Sequence, residues 1–209
     1  MCGRASQRGK REDFKNYIYE FEPQGDLFRG NIKPTQKVSI VINDRNTVKT
    51  VEARWWCQLE GAKEWSTKYA IFNANIERLE SSPMWRNLLK SKRCIMPVTS
   101  FYEWPEKGKP PLEIFANGGH PFALAGLWST WFDGGVRRES FAVITTAAND
   151  FMSAYHRAMP VILESKDIQK LWLLEGGMDI LRGFECHLTG KPLTDKIENV
   201  YPDRSDGLA

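Results

Sequence analysis

The feature that most constrains the fold of this 209-residue chain is a series of short, closely spaced segments that begins after Arg93 and has the composition of β-strands. The segments cover Cys94–Val98, Ser100–Trp104, Leu112–Phe115, Phe122–Trp128 and Ser140–Thr146. Turn-forming sequences separate them at Glu106–Lys109, Asn117–Gly119 and Asp133–Gly135. Strands joined in this way pair mostly antiparallel, so this half of the chain predicts a curved or barrel-like sheet.

The rest of the sequence predicts a few flanking helices and further strands. Helical spacing of apolar residues and N-cap residues predict helices over 14–21, from Met84 to about Leu89 behind Ser82-Pro83, from Asn149 through Tyr155, and from Ser165 onward. Further strands are expected at Val38–Ile42 and Thr47–Trp56, which form a hairpin, at Ala70–Asn73, and at Met159–Leu163. No linker or repeat divides the chain. We therefore expect a single α+β domain over residues 1–209, with a frayed tail from about residue 203.

Composition and cysteine usage narrow the class of protein. With 42% hydrophobic residues the chain can bury a core, which excludes a disordered or fibrous protein. A net charge of +3 permits a basic groove without requiring a nucleic-acid partner. Four scattered cysteines and three histidines form neither a disulfide framework nor metal-ligand spacing, so no metal or cofactor is expected. No apolar run reaches ~18 residues and no signal peptide opens the chain, which predicts a soluble, cytoplasmic monomer.

The first four residues, Met1-Cys2-Gly3-Arg4, carry distinctive chemistry. Removal of Met1 would leave Cys2 with a free α-amine beside its thiol. These groups ordinarily titrate at about pH 8 to 8.5, so both keep a nucleophilic fraction at neutral pH. An aldehyde reacts with such a pair in two steps, since the amine forms an imine and the thiol then closes a thiazolidine ring. The alternative is that Cys2 is an ordinary residue on a frayed terminus.

Three polar residues stand in otherwise apolar strand contexts. Asn73 ends an apolar segment, Glu103 is flanked by aromatic residues, and His156 precedes an apolar stretch. Each also has a structural explanation: a strand cap, an outward-facing strand residue and a helix C-cap, respectively. The sequence contains no G-x-S-x-G, P-loop, H-E-x-x-H or dinucleotide-binding motif. These three residues are therefore the candidates for chemistry alongside Cys2.

An ordered set of segments extends from Met1 to about Leu163. It consists of Met1–Arg4, Asn31–Gln36, Phe72–Ala74, Arg93–Ile95, Phe101–Trp104, Ala125–Trp128, Thr145–Asn149 and His156–Leu163. No single segment is specific, but together they resemble the SRAP family, named for the SOS-response-associated peptidase fold.

The resemblance implies a sensor of abasic sites in single-stranded DNA. In that family the new N-terminal cysteine, exposed by loss of the methionine, forms a thiazolidine with the open-chain aldehyde of the abasic sugar. Carried over to this sequence, Cys2 is the nucleophile, and Asn73, Glu103 and His156 line its pocket. The family is also credited with autoproteolytic removal of residues that precede the cysteine. Association with the nucleoid is expected when DNA is bound.

The resemblance also assigns DNA contacts, in which side chains stack or wedge against bases next to the lesion. The residues expected to contact DNA are Arg4, Pro34, Trp104 and Arg157. Stacking on an aromatic side chain is worth roughly 1–3 kcal/mol per base and does not depend on sequence, which suits a damage sensor. A packed core aromatic is the alternative for Trp104.

The chemistry of the side chains agrees with these roles. An abasic sugar is mostly a cyclic hemiacetal, and a histidine is suited to the proton transfers that open it near neutral pH. A buried carboxylate could take a proton from the α-amine and deliver it to the departing hydroxyl. We therefore predict that Glu103 assists imine and thiazolidine formation, that His156 handles ring opening and reversal, and that Asn73 holds the terminus and a sugar hydroxyl. A self-processing thiol peptidase, or an interaction module on the same fold, is the alternative.

The chain departs from the family at positions that face DNA. Where the family usually has arginines, this sequence has Asn75 and Ala158, and the alanine usual before Pro34 is Lys33. The usual Trp-Gly-Leu-x-Pro-x-Trp segment is reduced to residues 56–60. These differences predict weaker or differently routed contacts with the DNA backbone around a preserved pocket. The residues that could compensate are Lys33, Arg78, Arg86 and Arg157.

Overall fold

The computed structural model describes residues 2–69, 71–105, 108–182 and 187–200. The helices are α1 Arg11–Tyr17, α2 Pro83–Ser91, α3 Asp150–Ser153, α4 Lys166–Leu174, α5 Met178–Arg182 and α6 Ile197–Val200. The strands are β1 Ala5–Gly9, β2 Leu27–Ile32, β3 Lys37–Asp44, β4 Thr47–Trp55, β5 Asn73–Asn75, β6 Arg93–Val98, β7 Ser100–Glu103, β8 Leu112–Phe115, β9 Phe122–Asp133, β10 Val136–Ala147, β11 Ala158–Pro160, β12 Ile162–Leu163 and β13 Thr189–Pro192.

Five of these strands close into a barrel. Strand β3 pairs with β4 and β6, β6 pairs with β9, β9 pairs with β10, and β10 returns to β4. The pairings are antiparallel except the closing one, in which Ser140 and Phe141 of β10 run parallel to Arg54 and Trp55 of β4. The predicted α+β class with a barrel-like, mostly antiparallel sheet is confirmed.

The barrel is filled by the side chains that alternation along each strand directs inward. This inner set is apolar and buried, and it includes Val38, Ile40, Ile42, Trp55, Met96, Trp128 and Phe141. A barrel of few strands has a narrow interior, and one position leaves no room for a side chain. A Cβ added to Gly126 would lie 2.8 Å from the carbonyl oxygen of Ala142 and 2.9 Å from Sγ of Cys94.

We expect Gly126→Ala to lower the free energy of unfolding by about 1–3 kcal/mol, because the added methyl group would force β10 to shift in an already filled interior. Urea or thermal unfolding would measure the loss. Gly25→Ala is the matched control, since no atom lies within 4 Å of the added Cβ there. Equal stability of the two variants would contradict this account of barrel packing.

Helices cover the outer face of the barrel, and Arg93 joins the ends of two of them. Phe14 of α1, Trp85 of α2 and Trp172 of α4 belong to one buried cluster with the outward side chains of the barrel. The guanidinium of Arg93 donates five hydrogen bonds of 2.8–3.2 Å to the carbonyl oxygens of Leu89, Lys90, Trp172, Leu173 and Leu174. Carbonyls at a helix end lack partners within the helix, so one buried side chain satisfies the ends of both α2 and α4.

A second sheet lies across one end of the barrel. Its strand order is β13-β8-β7-β1-β2, and it carries the N-terminal strand in its interior. The buried side chain of Gln7 in β1 donates to the carbonyl oxygens of Ser39 on β3 at 3.0 Å and Pro97 on β6 at 2.7 Å. These bonds hold the start of the chain over the barrel end at which β3 begins and β6 ends. We call this end the mouth.

The first predicted helix ends earlier than its apolar spacing indicates. Phe14, Ile18 and Phe21 are all buried, as predicted, but the helix ends at Tyr17 and Ile18 is already extended. The reason is tertiary. The side chain of Gln169 in α4 donates to the carbonyl oxygen of Tyr17 at 3.2 Å and accepts from the amide of Tyr19 at 2.8 Å. These contacts replace the bonds that a continuing helix would make.

Two predicted strands are also misplaced. The strand expected at Ala70–Asn73 is instead Asn73–Asn75, and Ala70 lies outside the described residues. The strand expected at Met159–Leu163 is divided at Val161, because β11 pairs with β10 whereas β12 pairs with β9. The remaining predicted strands are present, and β9 and β10 are longer than expected.

Several elements were not predicted at all, namely β1, β2, β13, α5 and α6. Residues 106–107 of one predicted turn and the predicted frayed tail lie outside the described residues. The extent of the single domain over residues 1–209 stays a prediction.

No helix among the described residues has both the length and the apolar character needed to cross a membrane. Within those residues, no group of three or more His, Cys, Asp or Glu side chains is arranged to hold a metal ion.

Candidate active site at the mouth of the barrel

Strand pairing brings the N-terminal segment to the mouth. Ala5 pairs with Phe101 of β7 on one side and with Ile32 of β2 on the other. The amide of Tyr102 donates to the carbonyl oxygen of Arg4 at 3.1 Å, so the same alignment continues toward the terminus. The Cys2 side chain has no exposed surface and belongs to the interior core cluster. The alternative of an unattached, frayed terminus is therefore wrong for Cys2.

Asn73 holds the backbone of Cys2. Strand β5 runs parallel to β10 and sets Asn73 opposite Val143. From there the Asn73 Nδ2 donates to the carbonyl oxygen of Cys2 at 2.9 Å. The amide oxygen of the same side chain is buried, and among the described residues it has no hydrogen-bond partner. A buried acceptor without a partner is costly, and it is ready to receive an N–H or O–H group.

Glu103 ends β7 with its side chain on the same side of the strand as Phe101, which packs in the interior core. It is 6% exposed. Burial raises the pKa of Glu103 above its ordinary value, and the positive charge of His156 partly opposes the rise. A carboxyl group in this condition exchanges protons at a higher pH than a solvent-exposed one.

The pKa of the Cys2 thiol is shifted in the same direction as that of Glu103. Burial raises the pKa of Cys2 well above its ordinary value, and the negative charge of Glu103 adds to the rise. The two groups therefore share one electrostatic environment. The raised pKa disfavours the thiolate form of Cys2.

His156 follows α3, with its amide bonded to the carbonyl oxygen of Met152 at 2.8 Å. Its ring Nδ1 lies 3.0 Å from the amide nitrogen of Ala158 and 3.0 Å from the carbonyl oxygen of the same residue. A neutral ring that carries its proton on Nδ1 donates to that carbonyl oxygen, and its Nε2 then holds the lone pair that accepts a proton. A charged ring keeps the Nδ1 donation and carries a second proton on Nε2. The imidazole can therefore gain or lose a proton without turning.

The predicted DNA-contact residues surround the mouth. The Arg4 Nη1 lies 3.5 Å from Oδ1 of Asn31, and the guanidinium carbon lies 5.9 Å from the centre of the Trp104 ring. Trp104 is half-buried and packs beside the cluster of Tyr102, Leu193 and Ile197, so it combines a packing role with a partly open ring. Arg157 is exposed directly after His156.

Pro34 lies in a tight turn that caps the mouth. The Gln36 amide donates to the carbonyl oxygen of Lys33 at 3.2 Å, and Thr35 has a φ of 83°, as the third residue of a type II turn requires. The Thr35 amide donates to the carbonyl oxygen of Trp55 at 3.0 Å, and the Trp55 amide donates to that of Gln36 at 2.9 Å. These bonds attach the turn firmly to the end of β4.

Residue patterns alone missed two contributors to this site. Asn31 contacts Arg4, and the Ala158 backbone orients His156. Asn31 lies within a segment that carries the family resemblance, which was the available signal. No pattern signals a backbone contact such as that of Ala158.

The cavity of about 690 Å³ lined by Asn149, Phe151, Met159 and His187 contains none of the four predicted catalytic residues.

Comparisons with known proteins agree with this geometry. The family model described as SOS response associated peptidase (SRAP) matches residues 1–196. The chain is 36% identical over 180 residues to the abasic site processing protein YoaM of Bacillus subtilis (strain 168), which covers 83% of this chain and 79% of YoaM. It is 29% identical over 184 residues to the abasic site processing protein YedK of Escherichia coli (strain K12), with coverage of 83% and 79%.

A solved structure shares the fold. The crystal structure of a Bordetella bronchiseptica protein aligns with a TM-score of 0.76 at 21% identity, covering 92% of this chain and 100% of that chain. Taken with the family match over residues 1–196, these findings show that the chain belongs to the SRAP family.

Proposed function

We propose that this protein processes abasic sites in DNA, and that it does so by joining Cys2 covalently to the sugar of an abasic site in a single strand. The observation that carries the proposal is the convergence of Cys2, Asn73, Glu103 and His156 at the mouth. The names of the related proteins YoaM and YedK support the same substrate. Removal of Met1 must come first, because the reaction uses the α-amine of Cys2.

The first step opens the sugar. The closed abasic sugar has a hydroxyl on C1′, and opening removes the proton of this hydroxyl while the ring oxygen gains one. His156 is suited to this exchange, since Nδ1–H can donate to the Ala158 carbonyl oxygen in either protonation state while Nε2 gains and then returns the proton. The product is an aldehyde at C1′.

The second step joins the amine to C1′. The lone pair of the α-amine attacks the aldehyde carbon, the adduct loses its oxygen as water, and an imine remains. Glu103 is suited to take a proton from the amine and to deliver it to the departing hydroxyl, because burial raises its pKa above the ordinary value of a carboxyl group. The amine attacks before sulfur, since the raised pKa of the Cys2 thiol disfavours the thiolate.

The third step closes the ring. The sulfur adds to C1′, the S–H proton passes to the imine nitrogen, and a thiazolidine forms, so that the whole reaction releases one water. An imine acidifies the protons on C2′ of the sugar and thereby promotes loss of the 3′ phosphate. Ring closure consumes the imine and protects the strand.

The direct test is a denaturing gel of the protein with a labelled abasic single strand and with the same strand intact. A covalent band confined to the abasic strand is expected, and no such band would refute the proposal.

We expect Asn73→Ala to slow crosslinking about tenfold at saturating DNA. The variant loses the hydrogen bond that holds the Cys2 carbonyl, and a net loss of ~1.4 kcal/mol of positioning corresponds to this factor. Single-turnover rates measured on denaturing gels would give the ratio. Asn16→Ala, at an exposed site on α1, is the control and should retain the wild-type rate. A wild-type rate for Asn73→Ala would show that the bond has no role in the reaction.

A further inference from the structure

We propose that Lys33, together with the side-chain amide of Asn31, binds a backbone phosphate of the DNA strand next to Cys2. The inference rests on the proposed function, because it assigns the phosphate contact of the same site.

Strand register brings Lys33 beside the reactive terminus. Since Ala5 pairs with Ile32 in the antiparallel β1–β2 ladder, Arg4 comes opposite Lys33 when the same register is continued. Ile32 packs in the interior core, so strand alternation directs Lys33, the next residue, to the other side of the strand. The register is irregular between Ala5 and Gln7, where Asn31 lies opposite, and the position of the Asn31 side chain is given by its contact with the guanidinium of Arg4.

Asn31 supplies a hydrogen-bond donor that needs an acceptor. Its side chain is 5% exposed, and its Oδ1 faces Arg4, which can only donate. This orientation leaves Nδ2 buried, and among the described residues it has no hydrogen-bond partner. A buried amide N–H without an acceptor, near the positive side chains of Arg4 and Lys33, is an arrangement that a phosphate oxygen completes.

The local charge is positive and is not neutralised by neighbours in sequence. Residues 27–43 contain Arg29, Lys33 and Lys37 and no carboxylate. The guanidinium of Arg29 is occupied by Gln36 and by the Lys37 carbonyl oxygen. Lys37 alternates with the interior residue Val38 and points outward. Lys33 makes no ion pair within the described part of the chain, so its ammonium remains available.

The backbone of Lys33 is fixed before DNA arrives. The Oε1 of Gln36 accepts from the Lys33 amide at 3.0 Å, and the turn that follows is bonded on both sides to Trp55. A phosphate contact here therefore orders only the side chain, which lowers its entropic cost.

Two of the other candidate cations, Arg78 and Arg86, are less well arranged. Arg78 is exposed one turn beyond Asn75, but Glu77 and Glu80 flank it and offset its charge. Arg86 is exposed on α2, and the C-terminus of that helix leads into the start of β6, at the end of the barrel opposite the mouth. Neither lies beside an unpartnered buried donor of the kind that Asn31 provides.

The test is a salt titration of binding to an intact single strand, followed by fluorescence anisotropy of a labelled oligonucleotide. The slope of log K against log salt is negative, and removal of one phosphate contact reduces its magnitude by about 0.7 for a single strand. We expect Lys33→Ala to show this loss, so that the advantage of the wild type shrinks about fivefold for each tenfold rise in salt. Lys33→Glu should weaken binding further at low salt. Arg78→Ala and Arg86→Ala are matched controls and should keep the wild-type slope.

The outcomes separate this inference from the proposed function. An unchanged slope for both Lys33 variants, or loss of slope in Arg78→Ala instead, would overturn the assignment to Lys33 even if the wild type crosslinks abasic DNA normally. Absence of measurable binding of the wild type to intact strands would overturn it as well. A lowered slope for Lys33→Ala supports it, and this result does not depend on crosslinking, which is scored separately on abasic strands.

Discussion

Replacing Cys2 with alanine is expected to abolish the stable crosslink to abasic single-stranded DNA while leaving the α-amine in place. The variant can still form an imine, because that step uses only nitrogen, but it has no sulfur to close the ring. The imine should be trapped by borohydride, and without the reductant it should decay with increased cleavage of the strand. Denaturing gels with and without borohydride would measure both products.

The control for this result is Cys57→Ala, which removes another buried thiol that is 1% exposed and belongs to the helix-covered cluster rather than to the mouth. It should crosslink at the wild-type level. A stable crosslink formed by Cys2→Ala without reductant would rule out the thiazolidine mechanism, and a loss shared equally by Cys57→Ala would trace the defect to folding.

Replacing Glu103 with glutamine is expected to slow crosslinking by about 10²–10⁴-fold, the usual contribution of a positioned general acid or base. Glutamine preserves the shape of the side chain but cannot exchange a proton with the amine or the departing hydroxyl. The rate at saturating abasic DNA would measure the effect, with Glu80→Gln as an exposed control. A rate within twofold of wild type would remove Glu103 from the proton transfers.

The same substitution should stabilise the fold at neutral pH. Because burial raises the folded-state pKa of Glu103 above its ordinary value near 4.5, ionisation favours the unfolded chain. The free energy of unfolding of the wild type relative to Glu103→Gln is therefore highest below about pH 4, where the carboxyl is protonated in both the folded and the unfolded state. It falls as the pH rises through the raised folded-state pKa. Thermal unfolding from pH 4 to pH 8 should show a widening gap in Tm in favour of the variant. A gap that narrows over this range would mean that the carboxylate is stabilised by its site.

The sequence was informative where strand patterns were dense and less so near the start. The apolar, β-branched segments after Arg93 predicted the barrel strands, since their side chains have a core to fill. Strand β1 was missed because its sequence, Ala-Ser-Gln-Arg-Gly, is polar. Its side chain Gln7 binds carbonyls of two barrel strands and holds β1 over the mouth. A tertiary contact of this kind leaves no periodic signal.

The candidate site was predictable in its members but not in its electrostatics. Residue types and the family resemblance pointed to Cys2, Asn73, Glu103 and His156, which the fold brings together. The sequence could not indicate that Cys2 is fully buried or that the thiol and the carboxyl have raised pKa values, because burial is a property of the tertiary structure. Nor could the sequence show which basic residue is placed to bind a phosphate, because this depends on neighbouring side chains such as Asn31 and Glu77.

The most direct test of the central claim is intact-mass and peptide mass spectrometry of the wild type after reaction with an abasic single strand, with denaturation and alkylation of free thiols before digestion. The account predicts a protein that lacks Met1, an adduct equal to protein plus DNA less one water, and a Cys2 peptide whose thiol resists alkylation while Cys57, Cys94 and Cys186 react. An adduct in which Cys2 is alkylated would indicate an imine without ring closure. That result, or an adduct attached at any other residue, would contradict the account.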